Sequence, residues 1–128
     1  YSYPVIMDPE EYPLIKSLCP IRDDGCGDYD CIMISKEVWN GCVVFWDHEV
    51  YDFPSYILGG SFFSYIEILK EYLIECFEPD GVMKPEYVEE IKEFPWPFDN
   101  SWMIKRDKKA KELLKNQEFR TLLKEQDH

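Results

Sequence analysis

Asp23, Asp24, Asp28 and Asp30 crowd one short stretch, with Gly25 and Gly27 between them. Carboxylates around glycines are the raw material of a calcium loop. Such a loop needs oxygen ligands at fixed alternate positions and a distal glutamate. The spacing here differs, and no glutamate follows at the matching distance. The ordinary use of aspartate in a turn, accepting hydrogen bonds from nearby backbone amides, fits better. A second constellation is Asp47-His48-Glu49. An imidazole beside a carboxylate can act as an oriented general base. No serine-containing nucleophile elbow precedes it, and the other histidine is His128. Strand alternation would also send Asp47 and Glu49 to the face opposite His48, so a strand-end hydrogen-bonding role is expected. Cys26, Cys31 and Cys42 with His48 are zinc ligands by type, but the tight Cys-x-x-Cys pair that zinc favours is missing. We expect no metal and no cofactor. A small hydrolase or metal-dependent enzyme centred on Asp28, Asp30 and His48 stands as the rival to a binding function.

These residues must be held by something, and the flanking patterns say what. Cys31 to Ile34 is a continuous apolar run, the mark of a strand covered on both faces. Cys42 to Trp46 is another, rich in β-branched and aromatic residues. Asn40-Gly41 between them predicts a hairpin, with a loop longer than two residues because Lys36 and Glu37 fit poorly in a buried strand. Short strands are expected within Leu14 to Ile21 and at Tyr56-Ile57-Leu58, and a turn at Arg22-Asp23-Asp24-Gly25. Ser61 then caps a helix whose apolar stripe is Phe62, Tyr65, Ile66, Leu69, Leu73, Cys76 and Phe77. Ser64 with Glu67 offers an alternative capping box. Glu67, Lys70, Glu71 and Glu75 take the other face, and Pro79-Asp80-Gly81 ends the helix. A shorter helix should start near Pro85, with Tyr87, Val88 and Ile91 inward. Two prolines keep Phe94-Pro95-Trp96-Pro97-Phe98 extended. From about Asp107 the pattern is helical again, with Asn116 breaking it into two short helices or bending one. Pro9 and Asp8 predict a helical turn near the start of the chain.

In chain order, Pro20-Ile21, the Gly27-Asp28 turn, a strand ending Trp46-Asp47-His48-Glu49, and Ser61-Phe62-Phe63-Ser64-Tyr65-Ile66 opening a helix resemble the SUKH superfamily. These are the Smi/Knr-type cell-wall and glucan-synthesis regulators and their bacterial toxin-immunity relatives. The resemblance spans roughly Ile15 to Glu75. It implies an α+β domain that binds other proteins and is not an enzyme. The helix that usually opens that fold has no obvious counterpart before Tyr1, and Val82 to His128 lies beyond the shared part. The expected organisation is a SUKH-like domain over residues 1–104 and a helical C-terminal extension over 105–128.

A chain of 128 residues, 16% of them aromatic, can bury a modest core. Five cysteines without paired spacings argue against a disulfide framework. Cys31, Cys42 and Cys76 sit in apolar patterns as core residues, and Cys26, in a polar turn, is the reactive candidate. A reducing, cytoplasmic setting is expected. No apolar run is long enough to span a membrane, and the opening Tyr1-Ser2-Tyr3-Pro4 shows no signal-peptide pattern. Without Met at position 1, the chain is read as trimmed or as a fragment. Residues 1–104 carry a net −15 and residues 105–128 a net +3, within the overall −12. Such a body repels nucleic acid and anionic membrane and attracts basic partners. The Lys105 to Lys111 run reads as a solvated helix face. The expected fold is therefore α+β, a small twisted, mainly antiparallel sheet packed with helices. The expected function is binding of another protein with a basic surface, such as a nuclease toxin. Asp47, Glu49, Tyr51, Asp52 and Phe53, just past the second strand, are the candidate contacts, because acids and aromatics coincide there beside Pro54.

Overall fold

Short apolar runs build the sheet, the first three joined through glycine-containing turns. The computed structural model describes residues 17–23, 25, 27–49, 54–88 and 104–123. Strands β1 (Leu18–Asp23), β2 (Tyr29–Met33), β3 (Val43–Trp46) and β4 (Tyr56–Gly59) pair antiparallel, each with its neighbour in sequence. Helices α1 (Phe62–Cys76), α2 (Lys108–Lys115) and α3 (Gln117–Thr121) follow. The protein is thus α+β, with a four-stranded antiparallel sheet first and helices after it. Cys31, Val44 and Ile57 stand in register across three strands and are almost fully buried. Burying side chains of this kind contributes about 1.5–3 kcal/mol each for the larger ones. Tyr29 faces Trp46 and Phe45 stacks on Tyr56 at 5.1 Å, as the register requires.

Polar bonds end β2 at Met33. The Ser35 amide donates to Asn40 Oδ1, and the Glu37 amide donates to Ser35 Oγ. Gly41, at φ +87°, closes the connection by donating to the Met33 carbonyl. The loop is longer than two residues, as Lys36 and Glu37 predicted, and it turns Trp39 inward to within 5.9 Å of the Phe119 ring.

The helix from Ser61 forms as expected. Ser61 Oγ accepts from the Ser64 amide, and the exposed face carries Glu67, Lys70, Glu71 and Glu75. Its buried face is rotated from the expected one. Tyr65, Ile68 and Cys76 are buried with Leu69 and Tyr72 beside them, whereas Phe62, Ile66 and Leu73 are 41–50% exposed. Tyr65, common to both faces, packs closely on Gly59, where a Cβ would lie 2.9 Å from the Tyr65 amide nitrogen. That approach holds Tyr65 against the end of β4. Past Phe77, which bridges to Met83, Gly81 at φ +88° donates to the Glu78 carbonyl and reverses the chain. A helical turn at 85–88 follows, as Pro85 predicted. Tyr87 packs on the core and donates to Glu75, but Val88 is 40% exposed rather than inward.

Asp107 ties the C-terminal helices to the sheet. Its carboxylate caps α2, accepting from the Ala110 amide, and also accepts from the Gly60 amide at 2.8 Å. A Cβ at Gly60 would meet the Ala110 nitrogen at 2.6 Å, so glycine is required by the contact itself. Asn116 breaks the helical pattern and caps α3 through the Phe119 amide. Ala110, Leu113, Leu114, Phe119 and Leu123 join the same core as the strands, while Lys108, Lys109, Lys111 and Lys115 face solvent. No helix among the described residues is long and apolar enough to cross a membrane. The expectations for Pro9, for Ile91 and for residues 94–98 lie outside the described residues.

Candidate functional site

Two turns leave the sheet at the same end. Asp23 is in register with Tyr29, and Tyr29 with Trp46, so the β1–β2 turn and the chain leaving β3 lie side by side. Gly27, at φ +96°, adopts a backbone that side chains disfavour. It lies against the His48 ring, where a Cβ would be 3.4 Å from Cγ. Asp28 Oδ1 then accepts from the His48 amide at 3.0 Å and pairs with His48 Nδ1 at 2.6 Å. One carboxylate oxygen thereby ties the two turns together through both the backbone and the side chain of His48.

β3 stops at Trp46, and 48–49 form a turn, so strand alternation does not separate these side chains as expected. Asp47 Oδ1 accepts from the Glu49 amide and lies 3.8 Å from Nδ1, while Glu49 Oε1 lies 3.9 Å from Nε2. His48 is held in a strand-end hydrogen-bonding position within a ring of acids. Its side chain is 40% exposed, against 18% for Asp28, 35% for Asp47 and 77% for Glu49. The Asp28 hydrogen bond raises the His48 pKa above its ordinary value; desolvation opposes this, and the charges of Asp28, Glu49 and Asp47 add to it.

An Asp–His pair is the orienting half of a nucleophilic triad. Among the described residues, every polar side chain recorded against the His48 ring is a carboxylate, which supplies no hydroxyl or thiol to activate. Buried thiols offer none either, since burial pushes Cys31 and Cys42 up to about 12. Asp28, Asp47 and His48 each present a ligand atom within 4.8 Å of the others. The Nδ1–Oδ1 contact is nonetheless a charge-assisted hydrogen bond, and a cation taking Nδ1 as a ligand would have to displace its proton.

Asp30 does not join this group. It is 2% exposed, and its Oδ2 accepts from Arg22 Nε at 2.6 Å and from Tyr65 Oη at 2.5 Å. Burial, and then the bond to Asp30, raises the Tyr65 pKa well above the usual phenol range. Arg22 is half exposed and lines a shallow cleft of about 390 Å³ with Pro20, Ile21, Asp23 and Tyr29. The triplet Asp28, Asp30 and His48 is therefore split between two environments. The pairing of Arg22 and Tyr65 with Asp30 escaped the sequence reading, although a charged residue inside a buried strand does call for polar partners. Of the predicted contact residues, Asp47 and Glu49 stand at the open turn, and Tyr51, Asp52 and Phe53 lie outside the described residues, as does Cys26.

Comparison with known proteins finds no family model, no curated protein and no solved structure that matches this chain.

Proposed function

We propose that the chain is a non-enzymatic, cytoplasmic protein-binding module of the Smi/Knr (SUKH) type. It acts as a cell-wall or glucan-synthesis regulator-like protein, or as an immunity protein that binds and neutralises a toxin. The observation that carries this is the convergence of Asp28, Asp47 and Glu49 on one accessible end of the sheet. On a body of net charge −12, such a surface attracts a basic partner, and the positive substrate cleft of a nuclease toxin suits it. The order of elements, from the Gly27-Asp28 turn through the His48 turn to the Ser61-capped helix, supports the same assignment. Capture from native cell extract tests it. Wild type should retain a basic protein that salt releases, and the Asp47→Asn, Glu49→Gln double variant should lose it. The Tyr51→Ala, Phe53→Ala variant should release it faster. Equal capture by all three proteins, insensitive to salt, would place the binding surface elsewhere.

The 2.6 Å Asp28–His48 pair favours the rival enzyme as the second reading. A rise of several degrees in melting temperature at micromolar metal would revive it, because a ligand of the folded state stabilises by mass action. The binding-module assignment predicts no shift beyond a general salt effect.

A further inference from the structure

We propose that His48 is a built-in cation of the acidic surface, so that the surface binds a basic partner more tightly once His48 is neutral. This rests on the basic-partner reading above and names how that surface is regulated. His48 is the one cation recorded against Asp47 and Glu49 among the described residues. It occupies the place that a partner's lysine or arginine would take. The charged groups facing it are Asp28 from the β1–β2 turn and Asp47 and Glu49 from its own turn. Three carboxylates around one imidazolium carry a net −2, and around a neutral imidazole a net −3.

Loss of the proton need not undo the geometry. A neutral ring that keeps its proton on Nδ1 still donates to Asp28 Oδ1, and the His48 amide holds the same oxygen. The proton that leaves is then the one on Nε2, which faces Glu49. What changes is therefore charge at the most exposed side of the cluster. The Asp28 bond raises the His48 pKa above its ordinary value of 6.5, so the ring keeps its charge to higher pH than a free imidazole. By linkage, a basic partner that prefers the neutral ring must lower the His48 pKa when it binds and release protons.

The test uses the whole chain and a lysine oligomer at low ionic strength. Wild type should bind the oligomer about two- to fivefold more tightly at pH ~8 than at pH ~6, the range of an exposed charge pair. His48→Asn should bind with little pH dependence. An NMR titration of wild type, which needs no variant to fold, should show the His48 midpoint falling when the oligomer is added. His128 serves as the reference imidazole. Binding that leaves the His48 midpoint unmoved, or equal pH dependence in His48→Asn, would overturn the inference while leaving the basic-partner reading intact. Absence of binding at either pH would overturn that reading, and this inference with it.

Discussion

Asp30 and Asp28 are two residues apart and of one type, yet they stand in opposite settings. Asp30 sits inside β2, 2% exposed, with Arg22 and Tyr65 on one oxygen. Asp28 sits just before the strand, where it holds His48 at an open turn. Asp107 resembles Asp30: it is buried, and its two oxygens accept from the Gly60 and Ala110 amides. The difference shows what decides a carboxylate's role here. Inside the sheet–helix layers a charge must be fully partnered, because leaving it unpaired is costly. Such a group fixes architecture, and its burial keeps it from a ligand in solution. At the sheet end the bonds are partly solvated, and the acids remain accessible to another molecule. Under the proposed function, recognition falls to Asp28, Asp47 and Glu49, while Asp30 and Asp107 hold the fold together.

The sharpest way to break this comparison is to remove both kinds of aspartate in turn. Asp30→Ala should cost about 3 kcal/mol in urea unfolding. This is the low end for a broken buried pair, since half-exposed Arg22 can be rehydrated while Tyr65 is left without its acceptor. Asp28→Ala should cost less than about 1 kcal/mol. Equal losses would erase the distinction. Asp107→Ala comes next, at about 2 kcal/mol, because it removes a helix cap and leaves the Gly60 amide without its carboxylate. A loss within a few tenths of a kcal/mol would mean that α2 is not anchored through this residue.

The smallest effect concerns His48. Its folded pKa is raised, so its contribution to stability is fully present below the unfolded value of 6.5 and disappears as pH rises through the folded one. Wild type should therefore melt higher relative to His48→Asn near pH 6 than near pH 9. A gap that widened with rising pH would contradict the bond to Asp28.

Elements and caps were largely legible in the sequence, because they rest on local chemistry. Ser61 caps the helix that it precedes, Asn116 divides the C-terminal pattern into two short helices, and Asn40-Gly41 turns the chain between β2 and β3. The helix face was not legible. Phe62, Ile66 and Leu73 are as apolar as Ile68 and Tyr72, so the local pattern does not choose between the two rotations. The site was half legible. Asp47, His48 and Glu49 were visible as a group, but their mutual approach depends on β3 ending at Trp46. The pairing of Asp28 with His48, twenty residues apart, depends on the register of β2 and β3. Neither length nor register is written in the local pattern.

The central claim is that the sheet-end turns, rather than acidity at large, form the recognition surface. Amide chemical-shift mapping of the labelled chain with a lysine oligomer tests it directly. The largest changes should fall on residues 27–29 and 46–49 and should vanish in the Asp47→Asn, Glu49→Gln variant. Changes concentrated instead on the acidic face of α1, at Glu67, Glu71 and Glu75, with the turn amides unmoved, would contradict it.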